Sequence, residues 1–338
     1  MNDKIDFVIL WVDGNDSEWL KDKNKYKYNP NKEKEDGKDG IVRFRDWDNL
    51  KYWFRGVEKY ASWVNNIYFI TYGHLPKWLN TKHPKLKIIN HKDYIPKKYL
   101  PVFSSHPIEL NINRIKGLSE QFVLFNDDIF IINNVKPTDF FINGIPVDNY
   151  NEVNLDLTNE DPVFASILKN NYHIISKYYN KRRVILAHPY KYLNIKYGFS
   201  RNIRTLKNTI TKKEFVGIYN NHLYQPFLKS YFDKAWKIIY KEMDNTCSHR
   251  FRDASDINQF LIRYFILLDG KFVPKDYSYG KYFSVHNDNK EIIDYIENQK
   301  GNCICINDTD STIDFEKCKK EINGALDKIL NKKSKFEK

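Results

Sequence analysis

The sequence predicts an α/β protein built on a doubly wound, mostly parallel β-sheet with helical additions. Short, nearly continuous apolar runs alternate with helix-like patterns over residues 1–145, and this alternation is typical of parallel sheets. Several of these runs end directly in polar residues, as strands do where they lead into loops at one edge of such a sheet. Glycine is scarce, with 13 residues in a chain of 338, which disfavours repetitive or collagen-like architectures.

The first predicted strand is the apolar run at residues 5–12, which leads into the polar sequence Asp-Gly-Asn-Asp at residues 13–16. An almost unbroken apolar run is expected for a strand that is buried on both faces of a parallel sheet. Residues 21–39 follow and are dense in lysine, asparagine and glutamate. They are predicted to form a mobile loop.

The next predicted elements are a helix and two strands. Asp46 or Asp48 is expected to cap a helix that runs to about Tyr60, because apolar side chains recur along one side of it. Residues 66–72 and 86–89 are apolar runs rich in β-branched or aromatic residues. They are predicted as the second and third strands.

A further helix and strand complete this half of the chain. The sequence Ser-Ser-His-Pro at residues 104–107 is typical of a helix start, and the helix is predicted to continue to about Leu118. Residues 121–125 form another apolar run and are predicted as a strand that ends in Asn-Asp-Asp at residues 126–128.

Polar residues at the strand ends are predicted to form a binding crevice. In doubly wound sheets ligands bind beyond the carboxyl ends of the strands, so residues 13–16, Gly73 and residues 126–128 are expected to meet there. Asp127 and Asp128 can hold Mg²⁺ or Mn²⁺, which neutralises a diphosphate. A capped turn is the alternative for residues 126–128, and an ordinary turn between strand and helix is the alternative for residues 13–16.

The second half of the chain has a less regular pattern. Residues 146–221 show weaker periodicity and are predicted as a variable insertion or a substrate-shaping subdomain, while residues 222–330 are predicted to complete the core that residues 1–145 begin. The patterns in this last part predict helices at 226–243 and 255–268, a strand at 302–306, a final helix from about Thr312 and a basic tail at 331–338.

The composition narrows the class of protein. Aromatic residues make up 16% of the chain, which excludes disorder over most of its length. The net charge of +12 favours an anionic partner, which is nucleic acid, a phosphate-bearing substrate or an acidic membrane surface. No apolar stretch is long enough to span a bilayer, the N-terminal pattern is not that of a signal peptide, and four cysteines are too few for a disulfide framework. A cytoplasmic location is therefore expected.

His222 and Arg252 are candidates for catalysis. A histidine can act as a general base near neutral pH, and an arginine can bind phosphate with two hydrogen bonds. A structural or exposed histidine is the alternative. Cys303 and Cys305 lack a second cysteine pair, so they are expected to pack in the core rather than bind zinc. The sequence contains no RNA-binding signature, and nucleic acid is not expected as a partner.

These residues belong to four blocks that resemble the Stealth family of sugar-1-phosphate transferases. The family includes bacterial capsule and surface-polysaccharide phosphotransferases and the animal N-acetylglucosamine-1-phosphotransferase of lysosomal enzymes. The blocks carry WVDGND at 11–16, RFRD at 43–46 and FNDD at 125–128 in one long stretch, the segment 222–264, and CIND at 305–308.

The resemblance implies a GT-A-like core that binds a UDP-sugar with a divalent metal, Mg²⁺ or Mn²⁺. The family's essential acidic positions fall on Glu109 and Asp128, and its essential histidine and arginine fall on His222 and Arg252. The residues expected to hold the metal are Asp128, Asp127 and Asp308, and those expected to line the nucleotide are Trp11, Asp13, Gly14, Arg43 and Asn126.

The resemblance also implies a reaction. An acceptor hydroxyl attacks the β-phosphorus of a UDP-hexose or UDP-N-acetylhexosamine, UMP leaves, and a sugar phosphodiester forms. His222 is then the candidate base, Arg252 steadies the phosphate oxygens, and Glu109 orients His222, the donor sugar or the acceptor hydroxyl. The alternatives are a conventional glycosyltransferase that releases UDP, and a non-catalytic protein that binds glycans or nucleic acid.

The acceptor is expected to be a glycan, carried on a lipid. The basic tail at residues 331–338 and the net charge suggest peripheral contact with the anionic inner face of the plasma membrane. A solvated tail that only aids solubility is the alternative.

Overall fold

The computed structural model describes residues 4–27, 45–158, 161–308 and 312–338. The strands are β1 (Ile5–Leu10), β2 (Ile67–Thr71), β3 (Leu86–Asn90), β4 (Gln121–Phe125), β5 (Ile129–Ile131), β6 (Phe141–Ile142), β7 (Ile145–Asp148), β8 (Gln225–Leu228), β9 (Val273–Pro274), β10 (Gly280–Ser284) and β11 (Cys303–Asn307). The helices are α1 (Ser17–Lys27), α2 (Leu50–Tyr60), α3 (His91–Tyr94), α4 (Ser105–Leu110), α5 (Pro162–Tyr178), α6 (Lys181–Ala187), α7 (Pro189–Tyr192), α8 (Phe199–Thr211), α9 (Lys229–Ile238), α10 (Tyr240–Ser248), α11 (Phe260–Leu268), α12 (Lys290–Glu297) and α13 (Phe315–Ile329). Within these described ranges, none of the helices combines the length and the apolar character that a membrane crossing requires.

A five-stranded sheet forms the centre of the molecule, in the order β3-β2-β1-β4-β8. Its first four strands are parallel, with Phe7 opposite Ile67 on β2 and Ile5 opposite Gln121 on β4. All residues of β2 and β4 are buried, as expected for strands covered on both faces. The predicted α/β class and the four parallel strands of the first half are therefore confirmed.

The edge strand β8 corrects one prediction. Residues 226–243 are predicted as one helix, but Gln225–Leu228 pair antiparallel with β4, and α9 begins only at Lys229. Pro226 has no backbone N–H to donate, which an edge strand tolerates better than a central one. A second helix, α10, then begins at Tyr240.

Two three-stranded sheets accompany the central one. The first has the order β10-β11-β5, in which β10 and β11 are parallel and β5 is antiparallel to β11. The backbone N–H of Ile306 on β11 donates to the carbonyl oxygen of Asp128, so β11 lies against the turn that follows β4. The second small sheet has the order β6-β7-β9. The strand predicted at 302–306 is confirmed by β11.

Apolar side chains pack on both faces of the central sheet and form two clusters. Alternate residues of β1 divide between them, because Phe7 belongs to one cluster and Val8 to the other. Helices α2 and α13 contribute to the first cluster, in which Trp53 is fully buried. Helix α11 contributes to the second cluster and is buried from Leu261 to Leu268, as expected for a helix that is apolar almost all round.

The first two helices differ from the prediction at their boundaries. Helix α1 continues to Lys27, so the first part of the loop predicted at 21–39 is helical, and the rest of that loop lies outside the described residues. Asn49, rather than Asp46 or Asp48, precedes α2. Asp48 has a positive φ of 51° and its backbone N–H donates to the Asp46 carboxylate, so both aspartates belong to a tight turn before the helix.

The helix predicted to reach Leu118 ends at Leu110. Ser104 caps its start as expected, because its hydroxyl accepts a hydrogen bond from the first turn. The side-chain amide of Asn111 donates to the carbonyl oxygen of Pro107, which occupies an acceptor of the last turn and favours termination. A single 3₁₀ turn follows.

The second half is more helical than its sequence pattern suggests. The region of weak periodicity at 146–221 contains α5 to α8. The helices predicted from Ser255 and Thr312 begin later, at Phe260 and Phe315, because aspartate side chains hold the intervening residues in turns and caps. The division of the chain into domains stays a prediction.

The basic segment at 331–338 packs against the fold. The ring of Phe336 is 3% exposed and contacts Phe54 on α2. Glu337 accepts two hydrogen bonds of 2.8 Å from the guanidinium of Arg55, in the paired geometry that makes such bonds strong. The segment predicted as a basic tail therefore packs on the fold through its aromatic and acidic side chains, which contact α2.

We expect Phe336→Ala to lower the free energy of unfolding by about 3 kcal/mol, because it removes a buried ring and leaves a cavity beside α2. Lys332→Ala changes an exposed residue of the same segment and should shift the free energy of unfolding by less than about 0.5 kcal/mol. Urea denaturation followed by tryptophan fluorescence measures both values. Equal stability of Phe336→Ala and the wild type would mean that the segment does not support the fold.

Candidate active site

Four predicted site residues come from separate parts of the chain and meet at the carboxyl edge of the central sheet. Glu109 lies on α4, Asp128 follows β4, His222 precedes β8 and Arg252 follows α10. His222 contacts Asp128, and the charges of Glu109 and Arg252 both act on His222. The structure brings all four together, while their individual roles stay predictions.

The antiparallel pairing of β8 with β4 places His222 beside Asp128. Because of this direction, Gln225 at the start of β8 lies opposite Leu124 near the end of β4. The imidazole Nε2 of His222 is 3.6 Å from Oδ2 of Asp128. The ring of Tyr282 on β10 meets the imidazole edge to face.

The backbone of His222 adopts an unusual conformation, with φ at +47° in the left-handed region. The preceding residues are held by side-chain hydrogen bonds. The amide of Asn220 donates to the hydroxyl of Tyr264 at 2.7 Å, and the amide of Asn221 donates to the hydroxyl of Tyr279 at 2.8 Å. Such conformations persist where the surroundings enforce them, and they are concentrated at functional sites.

The pKa of His222 is set by opposing influences. Burial alone would lower it, because burial disfavours the charged imidazolium. The hydrogen bond and charge of Asp128, together with the charge of Glu109, outweigh burial and the charge of Arg252, and raise the pKa above its ordinary value. The side chain is 36% exposed, so a ligand can still reach the imidazole.

Glu109 is a buried carboxyl group, 5% exposed. Burial raises the pKa of Glu109 from 4.5 to about 7, although the charge of Arg252, the hydroxyl of Ser105 and the charge of His222 all act to lower it. A carboxyl group that titrates near neutral pH beside a histidine and an arginine is a feature of functional sites.

Cys305 is a member of this group that the sequence analysis missed. Its thiol donates to Oδ2 of Asp128 across 3.3 Å. Burial and then the charge of Asp128 raise the pKa of Cys305 well above its ordinary value, so the thiol keeps its proton. Cys303 and Cys305 are buried, which confirms the predicted packing. The contact with Asp128 depends on the pairing of β11 with β5, which no local pattern reveals.

One carboxylate oxygen of Asp128 remains available for a ligand. Oδ1 is buried and has no hydrogen-bond partner among the described residues, whereas Oδ2 contacts His222 and Cys305. One possible metal-ligating atom from each of Asp128, His222 and Cys305 lies within 4.8 Å of the other two. A buried carboxylate oxygen fits Mg²⁺ or Mn²⁺, while a protonated thiol is not a ligand. The residues present therefore fit a hard divalent cation centred on Asp128.

The two other predicted metal ligands have different surroundings. Desolvation and then the charge of Asp128 raise the pKa of Asp127 above its ordinary value, and a bound cation would relieve the repulsion between the two carboxylates. Asp308 accepts hydrogen bonds from the guanidinium of Arg45 at 2.9 Å and the indole of Trp47 at 3.2 Å. Both stay predicted ligands, outside the cluster around Asp128 itself.

The predicted nucleotide-binding residues that follow β1 are Trp11, Asp13 and Gly14, and they lie near the end of β2. The backbone N–H of Asp13, next to Gly14, donates to Nε2 of His74 at 2.7 Å, and the ring of Trp11 packs edge to face on the same imidazole. Burial lowers the pKa of His74 against the charges of Asp16 and Asp13, which favours the neutral ring that this hydrogen bond requires. His74 is a further residue that the sequence analysis missed.

A narrow cleft opens beside His222. Its lining comes from the end of β4, the segment before β8 and the start of α11: Leu124, Asn126, Ile129, His222, Leu223, Gln225, Gln259 and Phe260. Asn126 thus shares a cleft with His222, and its role in nucleotide binding stays a prediction. Arg43, the remaining predicted nucleotide-binding residue, lies outside the described residues.

The fold and these groups define an α/β protein with a cluster of titratable side chains at the carboxyl edge of a parallel sheet. Residues 3–29 match Stealth protein CR1, conserved region 1, and residues 43–147 match Stealth protein CR2, conserved region 2. The chain is 41% identical to a capsular polysaccharide phosphotransferase WcwK of Streptococcus pneumoniae, over 100% of both chains.

Two further relatives are similar over nearly their whole length. The chain is 37% identical to the receptor polysaccharide phosphotransferase WefC of Streptococcus gordonii, over 100% of both chains. It is also 37% identical to the exopolysaccharide phosphotransferase cps2G of Lactiplantibacillus plantarum, over 99% of this chain and 96% of the relative. The chain belongs to the Stealth family, and the resemblance found in its sequence is confirmed.

The raised pKa of Glu109 predicts a specific effect of pH on stability. The unfolded chain releases this proton near pH 4.5 and the folded protein near pH 7, so the wild type should lose stability as the pH rises between these values. Glu109→Gln has no such proton and should lose less stability between pH 4.5 and pH 8.

Urea denaturation at both pH values measures this difference. Glu316→Gln, which changes an exposed glutamate, should keep the pH dependence of the wild type. An unchanged pH dependence in Glu109→Gln would contradict the assignment of Glu109 as a buried carboxyl group with a raised pKa.

Proposed function

We propose that this protein transfers a sugar-1-phosphate from a UDP-sugar to a hydroxyl group of a glycan acceptor and releases UMP. The donor is a UDP-hexose or UDP-N-acetylhexosamine, and the product is a phosphodiester of a surface or capsular polysaccharide. Membership of the Stealth family and the names of the relatives, all polysaccharide phosphotransferases, support this proposal. The observation that carries it is the pair formed by His222 and Asp128, with Glu109 and Arg252 beside it.

The chemistry follows from the surroundings of each group. His222 takes the proton of the acceptor hydroxyl, whose oxygen then forms a bond to the β-phosphorus. The bond from that phosphorus to the oxygen bridging it to the α-phosphate breaks, and UMP leaves with the bridging oxygen. Arg252 binds the phosphate oxygens on which negative charge is concentrated. Oδ2 of Asp128 holds the imidazole in place and favours its protonated form.

A divalent cation, Mg²⁺ or Mn²⁺, fits the proposal. Oδ1 of Asp128 would hold it, with help from Asp127 and Asp308. When bound, the cation neutralises the diphosphate of the donor. The thiol of Cys305 donates a hydrogen bond to Oδ2 of Asp128 and so fixes the orientation of the carboxylate. Glu109 is a positioning residue in this proposal, because its buried carboxyl group lies among the charges of His222 and Arg252.

The donor is proposed to bind along the strand ends of a GT-A-like core. Trp11, Asp13, Gly14 and Asn126 lie at the ends of β1 and β4, where doubly wound sheets bind nucleotides. We place the reaction in the cytoplasm, on an acceptor glycan that is carried by a lipid.

The nucleotide that is released tests the proposal directly. With Mg²⁺, a panel of UDP-hexoses and UDP-N-acetylhexosamines, and a glycan acceptor, we expect UMP to form with at least one donor. Chromatography of the nucleotides separates UMP from UDP. Release of UDP would instead indicate a conventional glycosyltransferase and would overturn the proposed attack on phosphorus.

The catalytic pair has its own test. His222→Ala and Asp128→Asn should each lower turnover by about a hundredfold or more, because each removes a group that acts in the transition state. His173→Ala changes an exposed histidine on α5 and should leave turnover unchanged. Near-native turnover in either site variant would exclude that residue from its proposed role.

The dependence on a cation is tested by removing it. Treatment with EDTA should abolish UMP formation, and Mg²⁺ or Mn²⁺ should restore it. In Asp128→Asn the residual activity should require a higher concentration of cation than in the wild type, since a neutral amide binds a hard cation more weakly than a carboxylate. Full activity after exhaustive chelation would contradict the proposed cation.

A further inference from the structure

Helix α8 presents its apolar side chains to solvent. Phe199, Ile203, Leu206 and Ile210 follow one another at intervals of three or four residues and therefore line one face of the helix. Their exposed fractions are 83%, 48%, 42% and 61%. A surface helix of a globular protein normally turns such a stripe towards the core. We call this stripe the outer face of α8.

The opposite face of α8 is polar and is fixed to the protein. Its buried residues are Thr205, Asn208 and Thr209. The hydroxyl of Thr205 accepts a hydrogen bond from the backbone of Glu152, and the guanidinium of Arg182 donates to the carbonyl oxygen of Thr209. The helix is thus held through polar contacts in the orientation that exposes its apolar side.

Two segments that contact α8 also carry exposed apolar side chains. Ile195, which lies just before α8, is 92% exposed, and Leu186 on α6 is 73% exposed. Large apolar side chains that are grouped in this way mark a binding surface, whereas single ones do not.

Basic side chains accompany the outer face. Lys207, Lys212 and Lys213 are exposed on α8 or directly after it, and within the described ranges they form no ion pair with a carboxylate. An apolar stripe beside lysines is the pattern of helices that lie in the interface of an anionic bilayer. Each lysine near such a surface adds attraction to its negative potential.

We infer that the outer face of α8 docks on an anionic lipid bilayer, with its apolar side chains at the level of the headgroups and its lysines on the lipid phosphates. This inference rests on the proposed function, because a membrane surface is where a lipid-carried glycan acceptor is found. The docking surface of this inference is α8, and it is separate from the basic segment at 331–338, whose Phe336 and Glu337 contact α2.

A groove lies beside the segment that precedes α8. Lys196, next to Ile195, lines it together with Lys275 and Tyr279. The hydroxyl of Tyr279 accepts a hydrogen bond from Asn221, the residue before His222. Lys196 on one side of the groove thus adjoins the docking surface, and Tyr279 on its wall contacts the segment that carries the proposed base.

Vesicle sedimentation with the full chain tests the inference. Wild-type protein should bind vesicles of phosphatidylglycerol and phosphatidylcholine much more strongly than vesicles of phosphatidylcholine alone. The combined variant Phe199→Ser, Ile203→Ser and Ile210→Ser should lower partitioning onto the anionic vesicles at least tenfold. The combined variant Ile238→Ser and Tyr240→Ser removes exposed apolar side chains from α9 and α10 and should bind as the wild type does.

The contribution of charge is measured separately. Lys207→Glu, Lys212→Glu and Lys213→Glu together should weaken binding to anionic vesicles at least tenfold. Lys317→Glu, Lys320→Glu and Lys332→Glu change the net charge by the same amount on exposed residues elsewhere and should have a much smaller effect. Circular dichroism and UMP formation with a soluble acceptor, measured on the same variants, show that each is folded and active.

Two results would overturn the inference. The first is that the serine variant of the outer face binds vesicles as strongly as the wild type does. The second is a dimer of the wild type in light scattering that the same variant dissociates, since the face would then be covered by a second copy of the chain. Vesicle binding is measured without substrates, so a protein that binds vesicles as expected but releases no UMP would refute the proposed function and leave the docking surface standing.

Discussion

A buried ion pair between Arg263 on α11 and Asp148 at the end of β7 organises the second half of the molecule. Nε and Nη2 of the guanidinium donate to the two carboxylate oxygens at 2.8 and 2.9 Å. The remaining donors reach the carbonyl oxygens of Tyr219 and Asn149 and the side-chain oxygen of Asn220. Charges can be buried in this way only where nearly every donor has a partner, because an unpaired charge in the interior costs several kcal/mol.

The conformation of His222 depends on this pair. Arg263 holds Tyr219 on one side of the histidine, and Asp148 accepts a hydrogen bond from the side chain of Gln225 on the other. The chain between these two points is short, and this explains how a histidine is kept at a positive φ. The same constraint sets the distance to Asp128, on which the raised pKa of the imidazole depends. The pKa of His222 therefore depends on the contacts of Arg263 and Asp148, which lie outside the site itself.

Local sequence patterns and family motifs were sufficient to predict several strands and one centre of the candidate site. Unbroken apolar runs predicted β1, β2 and β4, and the motif ending in Asp128 identified one centre of the site. Long-range pairing could not be predicted in this way. Pro226 lies within a helix-like pattern, but it belongs to β8 because β4 offers an edge. Cys305 reaches Asp128 only because β11 pairs with β5, and a charged segment at the C-terminus packs because Arg55 requires an acidic partner.

The segment from Asp148 to Glu152 connects the site with the outer face of α8. Asp148 anchors the histidine segment through Arg263, and Glu152 forms a fully buried ion pair with Lys181 while its backbone N–H donates to Thr205 on α8. These contacts join α8 to the site through consecutive buried polar groups rather than through a flexible linker. A surface that docks on a bilayer would then hold the proposed base at a fixed height above it. A protein docked in this way would select acceptors by the distance between their lipid and their reacting hydroxyl.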